Sequence, residues 1–346
     1  MPDSHKLKPG KLLIVLLLLA AAATVGIIYY ERSSGPPESA RLLPEGDIIG
    51  YLNCSPAHWC QRAAQNNPVD VAPEYKQFID ATGIQFERDL DDVAISRRDT
   101  PDGRDTESSE IFSGRFDSQR LRGYLEKNSA SQETYRDHRI YSIAHEGHTV
   151  RVALLDEKRI AVTNMVSSDP MHEIIDARLK HSEGPSLLQT HYAHVPTASL
   201  AWMIARVKPS QQAQLPGGWS FDFLENTISV VSLRFTGEIH LRADVFAGTE
   251  KDATRIVDSA SSFLSMYRAV ERTVGSRGAD PDVKAAIESI RIEQKNNVAQ
   301  ITATVPQRFV RKIASEASTG ITSPAAPEPS PAASPAAQPR RKHRRH

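Results

Sequence analysis

Cysteine is nearly absent: Cys54 and Cys60 are the only two in 346 residues. Their C-x5-C spacing is neither the C-x-x-C of redox motifs nor half of a zinc ribbon. His58 and Trp59 between them do not make a C-x-x-C-H haem attachment site. Two readings of the pair stay open, a structural disulfide in an oxidising compartment or two buried thiols. Catalytic signatures are missing as well, with no G-x-S-x-G elbow, P-loop or G-x-G-x-x-G run. Net charge is the third absence, since 42 basic residues meet 42 acidic ones.

That balance hides an uneven distribution. Residues 1–30 carry Lys6, Lys8 and Lys11 against Asp3, and residues 318–346 carry five Arg/Lys against Glu328. Removing both ends leaves 34 basic and 40 acidic residues, net −6, in 31–317. A mildly acidic body is unsuited to the phosphate backbone, so nucleic acid is not an expected partner.

One long apolar run is present. From Leu12 to Tyr30 the sequence LLIVLLLLAAAATVGIIYY has no charge in 19 residues. As a helix rising about 1.5 Å per residue it matches the ~30 Å hydrocarbon core of a bilayer. Three lysines precede it and only Glu31 and Arg32 follow directly, which places residues 1–11 in the cytoplasm. Tyr29 and Tyr30 suit an interfacial belt. A cleaved signal peptide ending near Ala20–Ala23 is the rival reading, but Val25, Ile27 and Ile28 carry the run past that point. We expect an uncleaved single-pass anchor at 12–30, with the body in the periplasm or an equivalent extracytoplasmic space.

Residues 31–39 form a spacer broken by Pro36 and Pro37. At the other end, residues 318–346 include TSPAAPEPSPAASPAAQP, too poor in large apolar groups to offset the entropy of ordering, and we expect a disordered tether. Between them, strand-like alternation and helical periodicity take turns. Asp47–Leu52, Val93–Ser96 and Glu110–Arg115 read as strands, the polar stretch from Arg97 to Ser109 as a loop, and Glu74–Ala81 as a helix. Asp117 caps a further helix, and Arg139–Ile143, Val150–Leu155 and Ile160–Val162 form a meander. Helices start at Asp169-Pro170 and near Leu187.

The same order then returns: a strand from Leu200, a hairpin placing Ile239, Leu241, Ala243 and Val245 on one face, a helix opened by Thr249 and Asp252, and a hairpin around Asn296-Asn297. The expected fold is α+β, with antiparallel sheets and helices packed on one face. It comprises two similar units at 40–195 and 196–317, or else one large domain.

LLPEGDIIGYLN, IDATGIQFERDLDDVAIS, IFSGRFD, RIYS and VALLDEKRIAVTN occur in this order. Together they resemble bacterial single-pass membrane-anchored proteins of unknown function with an exported α+β body. The resemblance covers residues 42–207 and is diffuse beyond them. It implies architecture and export and carries no site.

Candidates for chemistry are few. His145-Glu146-Gly147-His148 lacks the i, i+4 spacing of H-E-x-x-H and reads as a hairpin turn. His191 with His194, and His172 with His181, lack matching carboxylate or cysteine partners. Asp89, Asp91 and Asp92 lack the order of a calcium loop. Pro216-Gly217-Gly218-Trp219 reads as a surface loop. No catalytic, cofactor or metal residue is therefore assigned. The basic end, Arg340, Arg341, Lys342, Arg344 and Arg345, can hold an anionic envelope polymer from a flexible tether, or merely solubilise it. The expected function is a non-enzymatic membrane-anchored binding or scaffolding protein with an unknown protein partner. An envelope hydrolase assembled from distant residues is the alternative.

Overall fold

The computed structural model describes residues 35–55, 73–99, 106–145, 147–207, 227–274 and 281–308. The strands β1 (Ile48–Asn53), β2 (Leu90–Asp99), β3 (Thr106–Gly114), β4 (Ser131–Tyr135), β5 (His138–His145), β6 (His148–Leu154) and β7 (Arg159–Thr163) belong to the first half. The second half supplies β8 (Ala201–Arg206), β9 (Ile228–Phe235), β10 (Ile239–Phe246), β11 (Arg291–Lys295) and β12 (Val298–Val305). All are joined in one antiparallel sheet ordered β11-β12-β10-β9-β8-β1-β2-β3-β7-β6-β5-β4. The expected units therefore share one sheet: β1 pairs with β8 from Ile48↔Ala205 to Leu52↔Ala201.

From that seam the winding repeats outward. β1-β2-β3 and β8-β9-β10 are both three-strand meanders. In each half a helix follows, α4 (Ser118–Asn128) in the first and α7 (Glu250–Val274) in the second, and carries the chain to the sheet's edge. The chain then returns strand by strand until β7 pairs with β3, or β12 with β10.

Helices cover both faces, not one. On the first face α1 (Glu38–Arg41), α5 (Asp169–Lys180) and α6 (Ser186–His191) pack Met171, Ile174, Ile175, Leu187 and Leu188 over Ile49, Ile111, Ile140 and Ile204. On the opposite face α4, with Ile84 ahead of it, packs Leu121 and Leu125 over Tyr141, Val152 and Ile160. The reason lies in β5–β7, whose neighbouring residues Ile140 and Tyr141 are both apolar and both buried, so each side needs a cover. Each such core side chain contributes about 1.5–3 kcal/mol.

Local signals explain most boundaries. The Asp117 carboxylate accepts from the Arg120 N–H at the start of α4, and Thr249 and Asp252 bond reciprocally at the start of α7. Helix α5 begins one residue earlier than expected, with Asp169 as its first residue and Ser168 in the cap position. It ends at His181, at φ +51°. Two expectations fail. The stretch read as a loop from Arg97 to Ser109 is largely hairpin, its polar strands held by a backbone ladder and an Arg98–Glu107 pair at 2.7 Å. Strand β4 was unforeseen because its turn uses Arg136 and Asp137, both at positive φ, in place of Asn-Gly.

No helix among the described residues is long and apolar enough to cross a membrane; the expected anchor at 12–30 lies outside the described residues. So do the loop at Pro216–Trp219 and the tether.

Candidate binding face

Alternation along β1, β8, β9, β10 and β12 sends one set of side chains to each side of the sheet. On the side carrying α4 and α7, the register aligns Leu52, Ala201, Leu233, Leu241 and Ala303 in one row across five strands. The neighbouring row is Gly50, Met203, Val231, Ala243 and Ile301, and a shorter third row is Phe235, Ile239 and Val305. Not one of these residues has a polar side chain.

Among the described residues this face is open in the middle. Leu52 is 49% exposed, Phe235 45%, Met203 38% and Leu241 36%. Helix α7 covers the edge beyond it, where Ala253 and Ile256 meet Val245 and Ala299, and α8 (Pro281–Glu288) lies against β12. Helices α4, α2 (Pro73–Thr82) and the short α3 (Phe86–Asp89) stand over the other flank, where Phe86 stacks against Phe78, Tyr75 and Phe112. The result is an apolar floor between two helical walls.

The reverse side of the same strands is buried: Ile49, Trp202, Ile204 and Val230 join the main core there, and a polar cluster lies farther out on β10 and β12. Asp244 is buried there and bonded by Arg242 at 2.7 Å and Gln300 at 2.8 Å, and Lys295 donates to Gln300. Toward the seam, Tyr51 stacks on Trp202 at 5.6 Å, with Tyr192 edge-on to Trp202. Burial there pushes the Tyr51 hydroxyl well above its ordinary range, with Asp92 adding to it.

A second concavity, a polar cleft of about 580 Å³, lies between β4 and α5, lined by Tyr135, Asp169, His172, Asp176, Lys180 and Ser182 among others. Several of its charged groups are paired. Asp176 is bonded by Lys180 at 3.0 Å and paired with Arg136 at 2.6 Å, and these hold its carboxyl below the usual range. The His172 ring stacks on Tyr135 and bonds Glu133 at 2.8 Å. The Ser182 hydroxyl accepts from the Gly184 N–H, so serine and histidine are not aligned as nucleophile and base.

The sequence candidates fall apart in space. His145 and His148 face each other across a turn with Gly147 at φ +81°, and Glu146 lies outside the described residues. His191 and His194 stand 6.3 Å apart against Phe246, and His191 is pushed below its ordinary pKa by burial and then by His194. His172 and His181 occupy the cleft and the end of α5.

Asp89 accepts from the Gln85 N–H and pairs with Arg88; these outweigh its burial and hold its pKa low. Asp91 and Asp92 sit at an irregularity of β2, where the register with β3 shifts between Leu90 and Asp92. Burial pushes Asp92 up, opposed by the Ser39 and Ser113 hydroxyls. Among the described residues no three His, Cys, Asp or Glu side chains converge as metal ligands. Cys54 is half-buried and its thiol pushed up by burial, then by Asp92 and Asp91. Cys60 lies outside the described residues, as do Arg340, Arg341, Lys342, Arg344 and Arg345.

No family model matches the chain, and no curated protein matches it. Among solved structures, crystal form III of TP0453 aligns at 13% identity and TM-score 0.47, covering 82% of this chain and 99% of that one. Crystal form I aligns at 13% and 0.45, covering 81% and 97%. A likeness this slight carries no argument about function.

Proposed function

We propose that the chain is a non-enzymatic, membrane-anchored extracytoplasmic binding or scaffolding protein whose working surface is the open apolar sheet face. The observation that carries this is the row Leu52, Ala201, Leu233, Leu241, Ala303, apolar throughout and wet at Leu52 and Leu241. Large apolar patches on exported bodies mark interaction sites. The anchor at 12–30, a cytoplasmic N-terminus and a basic tail reaching anionic envelope polymer complete the reading; their support is the sequence. The repeated winding supports taking 40–195 and 196–317 as two similar units.

A photo-crosslinking amino acid placed at Leu241 in the full chain tests this in its native membrane. We expect a reproducible adduct there and none from the same group at His148, on an exposed turn. Silence at both positions, or equal adducts at both, refutes the reading.

A further inference from the structure

The sheet has two edges, β4 and β11, whose outer backbone groups have no strand partner among the described residues. Strand β4 pairs with β5 alone, from Ser131↔Ser142 to Tyr135↔His138. The two-residue turn makes Tyr135 and His138 a hydrogen-bonded pair, so the N–H and C=O groups of Gln132 and Thr134 point outward. An extended segment can add to such an edge through its backbone, with specificity set by what its alternate side chains meet.

Beside β4 they meet α5. Strand and helix run side by side: Glu133 bonds His172 at 2.8 Å, and one helical turn on, Arg136 pairs with Asp176 at 2.6 Å. The cleft of about 580 Å³ is the groove between them. Its lining sets Asp169, Glu173 and Asp176 against a single lysine, Lys180. Asp176 is engaged by Lys180 and Arg136. Among the described residues, however, Asp169 takes only the Ser167 hydroxyl and the exposed Glu173 has no ion pair. Glu133 on the rim is a third carboxylate without a fixed cation. Every residue of 129–145 and 166–186, the segments that build this groove, is described, and none of them fills it.

The groove therefore suits a basic strand. Alternate side chains of an extended segment are about 6.7 Å apart, and helix positions four apart are separated by about 6 Å, so a cation at every second residue keeps step with Asp169 and Glu173. The other edge has the wrong sign, since Arg291 and Lys295 outnumber Glu293 on β11.

The chain itself carries such a segment, in which Arg340, Lys342 and Arg344 alternate with Arg341, His343 and Arg345. The 31 residues 309–339 that lead to it extend up to about 100 Å. From β12 to β4 is ten strand spacings, about 48 Å. The segment thus reaches the groove as an intramolecular ligand.

We propose that residues 340–346 of this chain add to β4 as an outer strand, in the groove beside α5. One row of their basic side chains meets Glu133, Asp169 and Glu173. Anionic polymer, where the chain meets it, competes for the same charges. The apolar face plays no part in this contact.

A photo-crosslinking amino acid at Thr134, on the open edge, tests this in the full chain in vesicles, with the same group at His148 as the control. Peptide mapping is expected to place the Thr134 adducts within 340–346 and to find none there from His148. Glu173→Lys is expected to cut these adducts about fivefold, and about 0.5 M salt to do the same. Adding Lys342→Glu, at the centre of the facing row, is expected to restore them in the Glu173→Lys chain, which a misfolded variant could not show.

Adducts that map elsewhere, equal yields at Thr134 and His148, or yields indifferent to Glu173→Lys overturn the proposal. Mixing isotopically light and heavy chains identifies the owner of the segment, and adducts joining light to heavy overturn the intramolecular strand. Crosslinking from Leu241 reads the apolar face separately, so either reading can fail alone.

Discussion

Ile49 and Leu52 lie on the same strand, three residues apart, and point to opposite sides of the sheet. Ile49 is 0% exposed and packs in the main core with Ile204, its neighbour across the seam. Truncation to alanine removes its transfer free energy and leaves a cavity, about 2–5 kcal/mol in comparable cores. Leu52 is 49% exposed. Full burial of a leucine is worth about 1.5–3 kcal/mol, so half-burial with no enclosed cavity puts Leu52→Ala near 0.5–1 kcal/mol.

The gap, about 1–4.5 kcal/mol, corresponds to roughly a fivefold or larger difference in unfolding constant. Pulse proteolysis of the full chain in vesicles, read across a urea series, gives both midpoints. Equal losses for the two substitutions refute the claim that this side of the sheet is open.

Three further predictions concern single side chains. Asp117→Ala, which leaves the Arg120 N–H without its cap, is expected to lower stability by about 1 kcal/mol in the same assay, while Asp117→Asn retains most of it. Glu110 is raised above its ordinary value of 4.5 by burial, against the pull of Arg97, so the folded state resists its charge at neutral pH. Glu110→Gln is therefore expected to shift the urea midpoint upward at pH 7, an advantage that fades as the pH falls through the raised folded value towards 4.5. His191, held below 6.5 by burial and His194, stays neutral in the fold while the unfolded chain takes up a proton. Stability from it is present above pH 6.5 and lost below; His191→Gln should remove that part of the acid slope, and an NMR titration should place the His191 midpoint under 6.5.

Much of the fold was legible because the signals were local. Thr249 and Asp252 announce α7, Asp117 announces α4, and Ile239 to Val245 alternate without a break. What was not legible depended on partners distant in sequence. Nothing in Arg97–Ser109 reveals that Arg98 will face Glu107 across a ladder. The SQETY of β4 has no apolar alternation, because an edge strand over a polar cleft buries little. The merging of the halves into one sheet rests on Ile49 meeting Ile204, residues 155 positions apart in the chain.

The candidate site was half-visible for a sharper reason. Leu241 and Val245 share a face of β10 and look alike in sequence, yet Val245 is 3% exposed and Leu241 36%. Alternation says which residues stand together; it is silent on whether anything covers them. The cover is set by winding. After β10 the chain must reach the far edge strand β11, so α7 runs out over β11 and β12, and after β3 the chain must reach β4, so α4 travels the other way. Two halves that meet back to back at β1 and β8 thus send their crossover helices apart, and among the described residues the apolar middle of that face is left uncovered between them. A change that shortens α7 should leave this opening intact, whereas redirecting either crossover toward the seam should close it; the opening belongs to the topology more than to any one residue.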